Sequence, residues 1–186
     1  SNKYAAIVIE EATGKVLFSR NADYLRYPAS LTKIMTLYLL FEDIEAGRIT
    51  LKSQIPVSRT AAGRSPSKLY LKPGQSISVE QAIYALVTKS ANDVATALAE
   101  KLSGTERKFA QRMTRKAQAL GMRRTVFKNA SGLPNRRQKS TARDMAKLAV
   151  AMRRDFPHFF KYFSTRSFNW QGRKFNNHNK LLSKYS

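Results

Sequence analysis

The sequence contains no cysteine and only two histidines, His158 and His178, in 186 residues. The first absence removes disulfide scaffolds, thiol nucleophiles, zinc ribbons and iron–sulfur sites. The second leaves no cluster of metal ligands and little room for a Ser-His-Asp triad. No Gly-rich phosphate loop occurs either. The longest apolar run, Ile34 to Phe41, is broken by Thr36 and falls far short of the ~20 residues a membrane span needs. Acidic residues are scarce: 12 Asp plus Glu face 34 Lys plus Arg, a net charge of +22. Such a chain favours polyanionic surroundings, whether phosphate-bearing polymers, an anionic membrane face or nucleic acid. What is plentiful is ordinary apolar content, 42%, enough for one domain with a real core.

Along the chain, Ala5 to Ile9 and Lys15 to Phe18, separated by Thr13-Gly14, read as a β-hairpin. From Ser30 to Glu45 the apolar positions surround most of a helix, which predicts a buried core element stopped near Gly47. Residues 52–76, rich in Ser, Pro, Gly and Lys, form a long irregular connection with room for short strands. Ser78 and Gln81 make a capping box for the next helix. The turn Ser90-Ala91-Asn92 follows, then a helix from Asp93 to Leu102 and another capped by Thr105 and stopped at Gly121. Thr125 to Phe127 is strand-like, Asn129 to Asn135 is a turn, and Thr141 with Asp144 opens a helix to about Arg154. A second hairpin joins Ser164–Trp170 to Arg173–Asn176 through Gln171-Gly172. The aromatic group from Phe156 to Phe163 reads as core, with His158 packed in it. The order of elements indicates an α+β fold.

Without a usable His or Cys, a nucleophile must be a Ser or Thr activated by Lys or a carboxylate. Ser30-Leu31-Thr32-Lys33 supplies the pair, because helical positions i and i+3 share a face. A helix N-terminus also offers unpaired backbone N–H groups to an oxyanion. Burial and the positive helix end should both lower the Lys33 pKa toward a usable base. The bland reading makes Ser30 an N-cap and Lys33 a solvated charge. A second S-x-x-K, Ser65 to Lys68, lies in a Pro-interrupted loop where nothing aligns the side chains. The second element is Ser90-Ala91-Asn92, where a hydroxyl and a carboxamide two residues apart can serve one cleft. Here the bland reading is an interhelical turn with Asn92 as N-cap.

Together with their surroundings, these motifs resemble the D-alanyl-D-alanine carboxypeptidases, the low-molecular-mass penicillin-binding proteins of peptidase family S11. The residues that carry the resemblance are Thr13 to Leu17, Tyr27 to Thr36, Ser90 to Asp93 before Ala95, Asn129 to Pro134, Ser140 to Ala146, and Asn177 to Leu182. The resemblance implies a β-lactamase/penicillin-binding-protein-like α+β fold, an antiparallel sheet flanked by helices with a helical subdomain at about 52–140. It also implies that Ser30 attacks the bond between the two terminal D-alanines of a peptidoglycan stem peptide, with Lys33 as general base. Ser90 then assists proton transfer and Asn92 binds the substrate backbone. β-Lactam antibiotics would acylate Ser30, no metal or organic cofactor is needed, and the work would be done at the periplasmic or extracellular face of the bacterial envelope. The family's third motif, K-T-G, does not occur in the sequence. Residues 1–186 are therefore expected to be a single transpeptidase-like catalytic domain incomplete at its C-terminus, or else a homologue that has lost this part. An unpaired edge in a core sheet favours the former.

Other readings are a serine β-lactamase of the same superfamily, a catalytically dead wall-binding homologue, and a nucleic-acid binder. Arg107 to Lys128 holds eight Lys or Arg and Arg136 to Arg154 holds seven. These charges fall on the solvent stripe of amphipathic helices with no aromatic platform. That pattern favours contact with anionic membrane or wall polymer, and no nucleic-acid partner is expected. His178 is assigned a structural hydrogen-bonding role.

Overall fold

The computed structural model describes residues 6–9, 16–20 and 32–177, the first two stretches as backbone strands. Ser30 and His178 lie outside the described residues. The strands β1 (Ala6–Ile9) and β2 (Val16–Arg20) pair antiparallel, as the sequence predicts. Helix α1 (Thr32–Glu45) then runs through the core, with Met35, Leu39, Leu40 and Phe41 fully buried. Burial of each such side chain stabilises the fold by about 2 kcal/mol.

The stretch expected to be irregular contains more order than its composition suggests. It holds β3 (Gln54–Pro56), a single turn of helix α2 (Arg59–Ala62) and β4 (Ser76–Ser78). In the β3–β4 pair, Ile55 opposes Ile77 and both are fully buried, so two residues pin the register. Helix α2 forms because the Ser58 hydroxyl accepts from the Ala61 amide.

Helix α3 (Val79–Thr88) carries the complete capping box expected of Ser78 and Gln81. After the turn comes α4 (Asn92–Ser103), whose residues from Asn92 to Ala99 are all buried. It is the hub of the described residues, packing against α1, α2, α3, β3 and α5 (Glu106–Ala119). Helix α6 (Ala142–Asp155) lies on α1 and β1. The Thr105 and Thr141 hydroxyls cap α5 and α6 by accepting from the Lys108 and Asp144 amides. Val126 and Lys139 form an isolated bridge rather than a strand pair.

A 3-10 turn (Phe160–Ser164) leads to β5 (Ser167–Trp170) and β6 (Arg173–Asn176). Their two-residue connection puts Gln171 and Gly172 both at positive φ, 48° and 79°. That geometry matches the right-handed twist of the flanking strands. The aromatic group is core as expected: Phe159 stacks on Phe41 at 4.6 Å, and Tyr162 meets Tyr84 edge-on at 5.3 Å. His158 departs from expectation, since it sits exposed in a turn while its neighbours turn inward. Among the described residues, no helix is long and apolar enough to cross a membrane.

Candidate active site

Lys33 occupies the second position of α1 and is 4% exposed. Thr32, Met35 and Thr36 are buried around it at this end of the helix, and Ile34 is half-buried. Its ammonium donates to Asn92 Oδ1 at 2.7 Å and to the Ser131 carbonyl at 2.7 Å. Both acceptors are neutral, and no ion pair to Lys33 occurs among the described residues. Desolvation therefore lowers its pKa from 10.5 to about 8. Burial is the cause. At pH 7 about one molecule in ten then carries the free amine.

Asn92 opens α4, yet it is not the N-cap. Ala91 holds that position and makes no side-chain cap, so the Asn92 carboxamide is spent on Lys33 instead. Ser90 sits between the helices at φ +55°, a left-handed conformation uncommon for a serine. Its hydroxyl makes no hydrogen bond to another of the described residues.

Hydrogen bonds to the 67–71 loop hold this turn. The Asn92 amide donates to the Ser67 carbonyl at 2.7 Å, and the Ser67 hydroxyl donates to the Lys89 carbonyl at 2.9 Å. Asp93, fully buried, accepts from the Leu69 and Val94 amides through Oδ1 and from the Leu71 amide through Oδ2. A loop from 67 to 71 is thus tied across the Ser90 turn. The segment after Lys128 forms another wall. Asn129 accepts from the Gly132 amide and donates to the Leu133 carbonyl, while buried Gln138 receives the Lys128 and Asn129 amides. This turn presents the Ser131 carbonyl to Lys33 and the Ala130 carbonyl to the Thr36 hydroxyl.

The structure thus brings Lys33 and Asn92 into contact, with Ser90 two residues away, across 59 positions of sequence. The rival S-x-x-K is not organised the same way: Lys68 donates to the Ala62 carbonyl at 2.6 Å, and Ser65 is exposed. Sequence reasoning missed two contributors. The Ser131 carbonyl carries no side-chain signature, although the Ser-Gly turn that exposes it does. Asp93 was visible only as the residue after Asn92. A buried amine bonded to a carboxamide, with the Ser90 hydroxyl two residues along the chain from that carboxamide, can move a proton and orient an amide.

The family model described as D-alanyl-D-alanine carboxypeptidase, peptidase family S11, matches residues 2–186. The D-alanyl-D-alanine carboxypeptidase DacF of Bacillus subtilis is 39% identical over 145 residues, covering 78% of this chain and 37% of that protein. DacC of Escherichia coli is 36% identical over 184 residues, 96% of this chain and 46% of the relative. Among solved structures, penicillin-binding protein 5 of Haemophilus influenzae superposes with a TM-score of 0.92 at 32% identity, covering 97% of this chain and 53% of that one. The chain thus spans less than half the length of the two curated relatives.

Proposed function

The chain belongs to the D-alanyl-D-alanine carboxypeptidase family, peptidase family S11, and on that premise we propose that it is the Ser30–Lys33 part of a serine carboxypeptidase that removes the terminal D-alanine from peptidoglycan stem peptides. The observation that carries this reading is the buried Lys33 amine, pKa about 8, between Asn92 Oδ1 and the Ser131 carbonyl.

In the proposed reaction Ser30, three residues before Lys33, attacks the carbonyl between the two terminal D-alanines, and Lys33 takes its proton. Asn92 hydrogen-bonds the substrate backbone. Ser90 passes the proton to the departing D-alanine amine, and water then releases the shortened peptide from Ser30. Residues 1–186 belong to one transpeptidase-like catalytic domain, with about 52–140 as its helical subdomain. Peptidoglycan and β-lactams are the partners, and the periplasmic or extracellular face of the envelope is the place of work. The net charge of +22 suits contact with anionic wall or membrane there.

The test is labelling of the full-length protein with a fluorescent penicillin, with the adduct located by mass spectrometry. Ser30→Ala should abolish the label and Lys33→Ala should slow it by at least about a hundredfold. A label that persists in Ser30→Ala assigns the nucleophile elsewhere and ends this reading.

A further inference from the structure

Tyr70 is the one large hydrophobic side chain exposed among the described residues, at 57%. It is also held at φ +63°, a conformation that a bulky side chain avoids. An exposed residue gains little packing energy to offset such strain, so something else must hold it. That agent is Asp93: its two carboxylate oxygens take the amides of Leu69 and Leu71, the residues on either side of Tyr70. Leu69 and Leu71 are buried, which anchors the loop while the residue between them stands out. The same Asp93 directly follows Asn92, whose carboxamide receives the Lys33 ammonium.

Tyr70 does not stand alone. The Arg173 guanidinium of β6 lies 5.3 Å from its ring centre and the Lys68 ammonium 5.8 Å, both within cation–π reach. Lys68 is also anchored on the Ala62 carbonyl, whereas Arg173 has no carboxylate partner among the described residues. Lys89, one residue before Ser90, lies over Phe175 of the same hairpin at 5.8 Å. The β5–β6 hairpin and the 67–71 loop therefore meet beside the Ser90 turn, with an aromatic face and a guanidinium that has no carboxylate partner among the described residues at their junction.

We propose that Tyr70 and Arg173 form a substrate-side subsite that receives the acyl-side portion of the stem peptide: aliphatic or ring surface on Tyr70, and a peptide carboxylate on Arg173. This assignment rests on the carboxypeptidase reading and specifies which part of the substrate is recognised. Binding energy from such a remote part is useful if it helps hold the scissile bond in place. The Asp93 clamp on Leu69 and Leu71 keeps the ring presented before substrate arrives, so little ordering is needed on binding.

The experiment uses the full-length protein and three substrates. They are a stem pentapeptide with its internal carboxylates free, the same peptide with those carboxylates amidated, and 6-aminopenicillanic acid, a penicillin nucleus without a side chain. Tyr70→Gly removes the ring and accepts the positive φ; it should lower kcat/KM about tenfold on both peptides, mainly through KM, while acylation by the penicillin stays within about twofold. Arg173→Ala should weaken only the free-acid peptide. Tyr70→Phe should behave as wild type. Equal losses on peptide and penicillin would mean that Tyr70 merely shapes the Ser90 turn, which overturns the subsite and leaves the carboxypeptidase reading intact. A wild-type protein that neither accepts penicillin nor cleaves either peptide would fail the carboxypeptidase reading itself, and the subsite with it.

Discussion

Lys33 shows what burial does to a single side chain. Its amine has two neutral acceptors and no carboxylate, so the charged form is penalised and the pKa falls to about 8. Acylation by a β-lactam should therefore rise with pH and level off above about 8, as the amine loses its proton. Asn92 Oδ1 favours the ammonium. Asn92→Ala removes that acceptor and should move the rising limb to lower pH, even as the overall rate drops. A limb that stays in place would show that Oδ1 does not govern the Lys33 proton. The same burial has a stability signature. Because the folded pKa lies below the unfolded one, the unfolded chain binds more protons between about pH 8 and 10.5, and stability rises across that window. Lys33→Met lacks this term, so wild type should gain roughly 2 kcal/mol on the variant between pH 7 and 10 in urea titrations. Parallel pH curves would contradict the desolvation argument.

At the scale of elements, α1 and α5 are joined through a charge cluster. Asp43, 3% exposed, accepts from both ends of the Arg112 guanidinium and from Arg48, while Glu42 pairs with Lys116 at 2.6 Å. Burial pushes the Asp43 pKa up, but the hydrogen bonds from Arg112 and Arg48 outweigh it and hold the carboxyl below its usual value. This stabilisation is present above the ordinary carboxylate range and is lost as pH falls through the folded pKa. Asp43→Ala should cost about 3 kcal/mol at pH 7 and much less near pH 2, read from denaturant midpoints. An equal cost at both pH values would assign the effect to packing instead.

Elements were more legible in the sequence than their meeting points. The capping box at Ser78, the caps at Thr105 and Thr141, the buried character of α1 and the antiparallel pairing of both hairpins' strands follow from local patterns, and each is present. The connection at 52–76 hid α2, because a four-residue helix has no periodicity to read. His158 was misplaced because apolar neighbours do not say which way one residue in a turn points. Lys33 and Asn92 could be named, but their contact spans 59 residues and depends on how α1 crosses α4, which no local pattern encodes. The Ser131 carbonyl was invisible for a simpler reason: every residue has one.

For the whole molecule, +22 is a field rather than a list of contacts. Arg112 and Lys116 are spent on internal pairs, while Arg107, Lys108, Arg115, Arg136 and Arg137 are exposed. Association with vesicles containing anionic lipid should therefore weaken steeply between about 0.05 and 0.5 M salt, as the screening length shrinks below the spacing of surface charges. Sedimentation with vesicles measures this, and a salt-insensitive association would point to apolar contact instead.

Helix α1 buries every residue from Thr32 to Phe41 except the half-buried Ile34. A saturation library of the chain should accordingly find this stretch the most intolerant of drift, since every position must conserve volume on some side at once. The segment that houses the proposed base would be frozen by its packing alone, so an unchanging α1 among descendants would testify to crowding before it testified to chemistry.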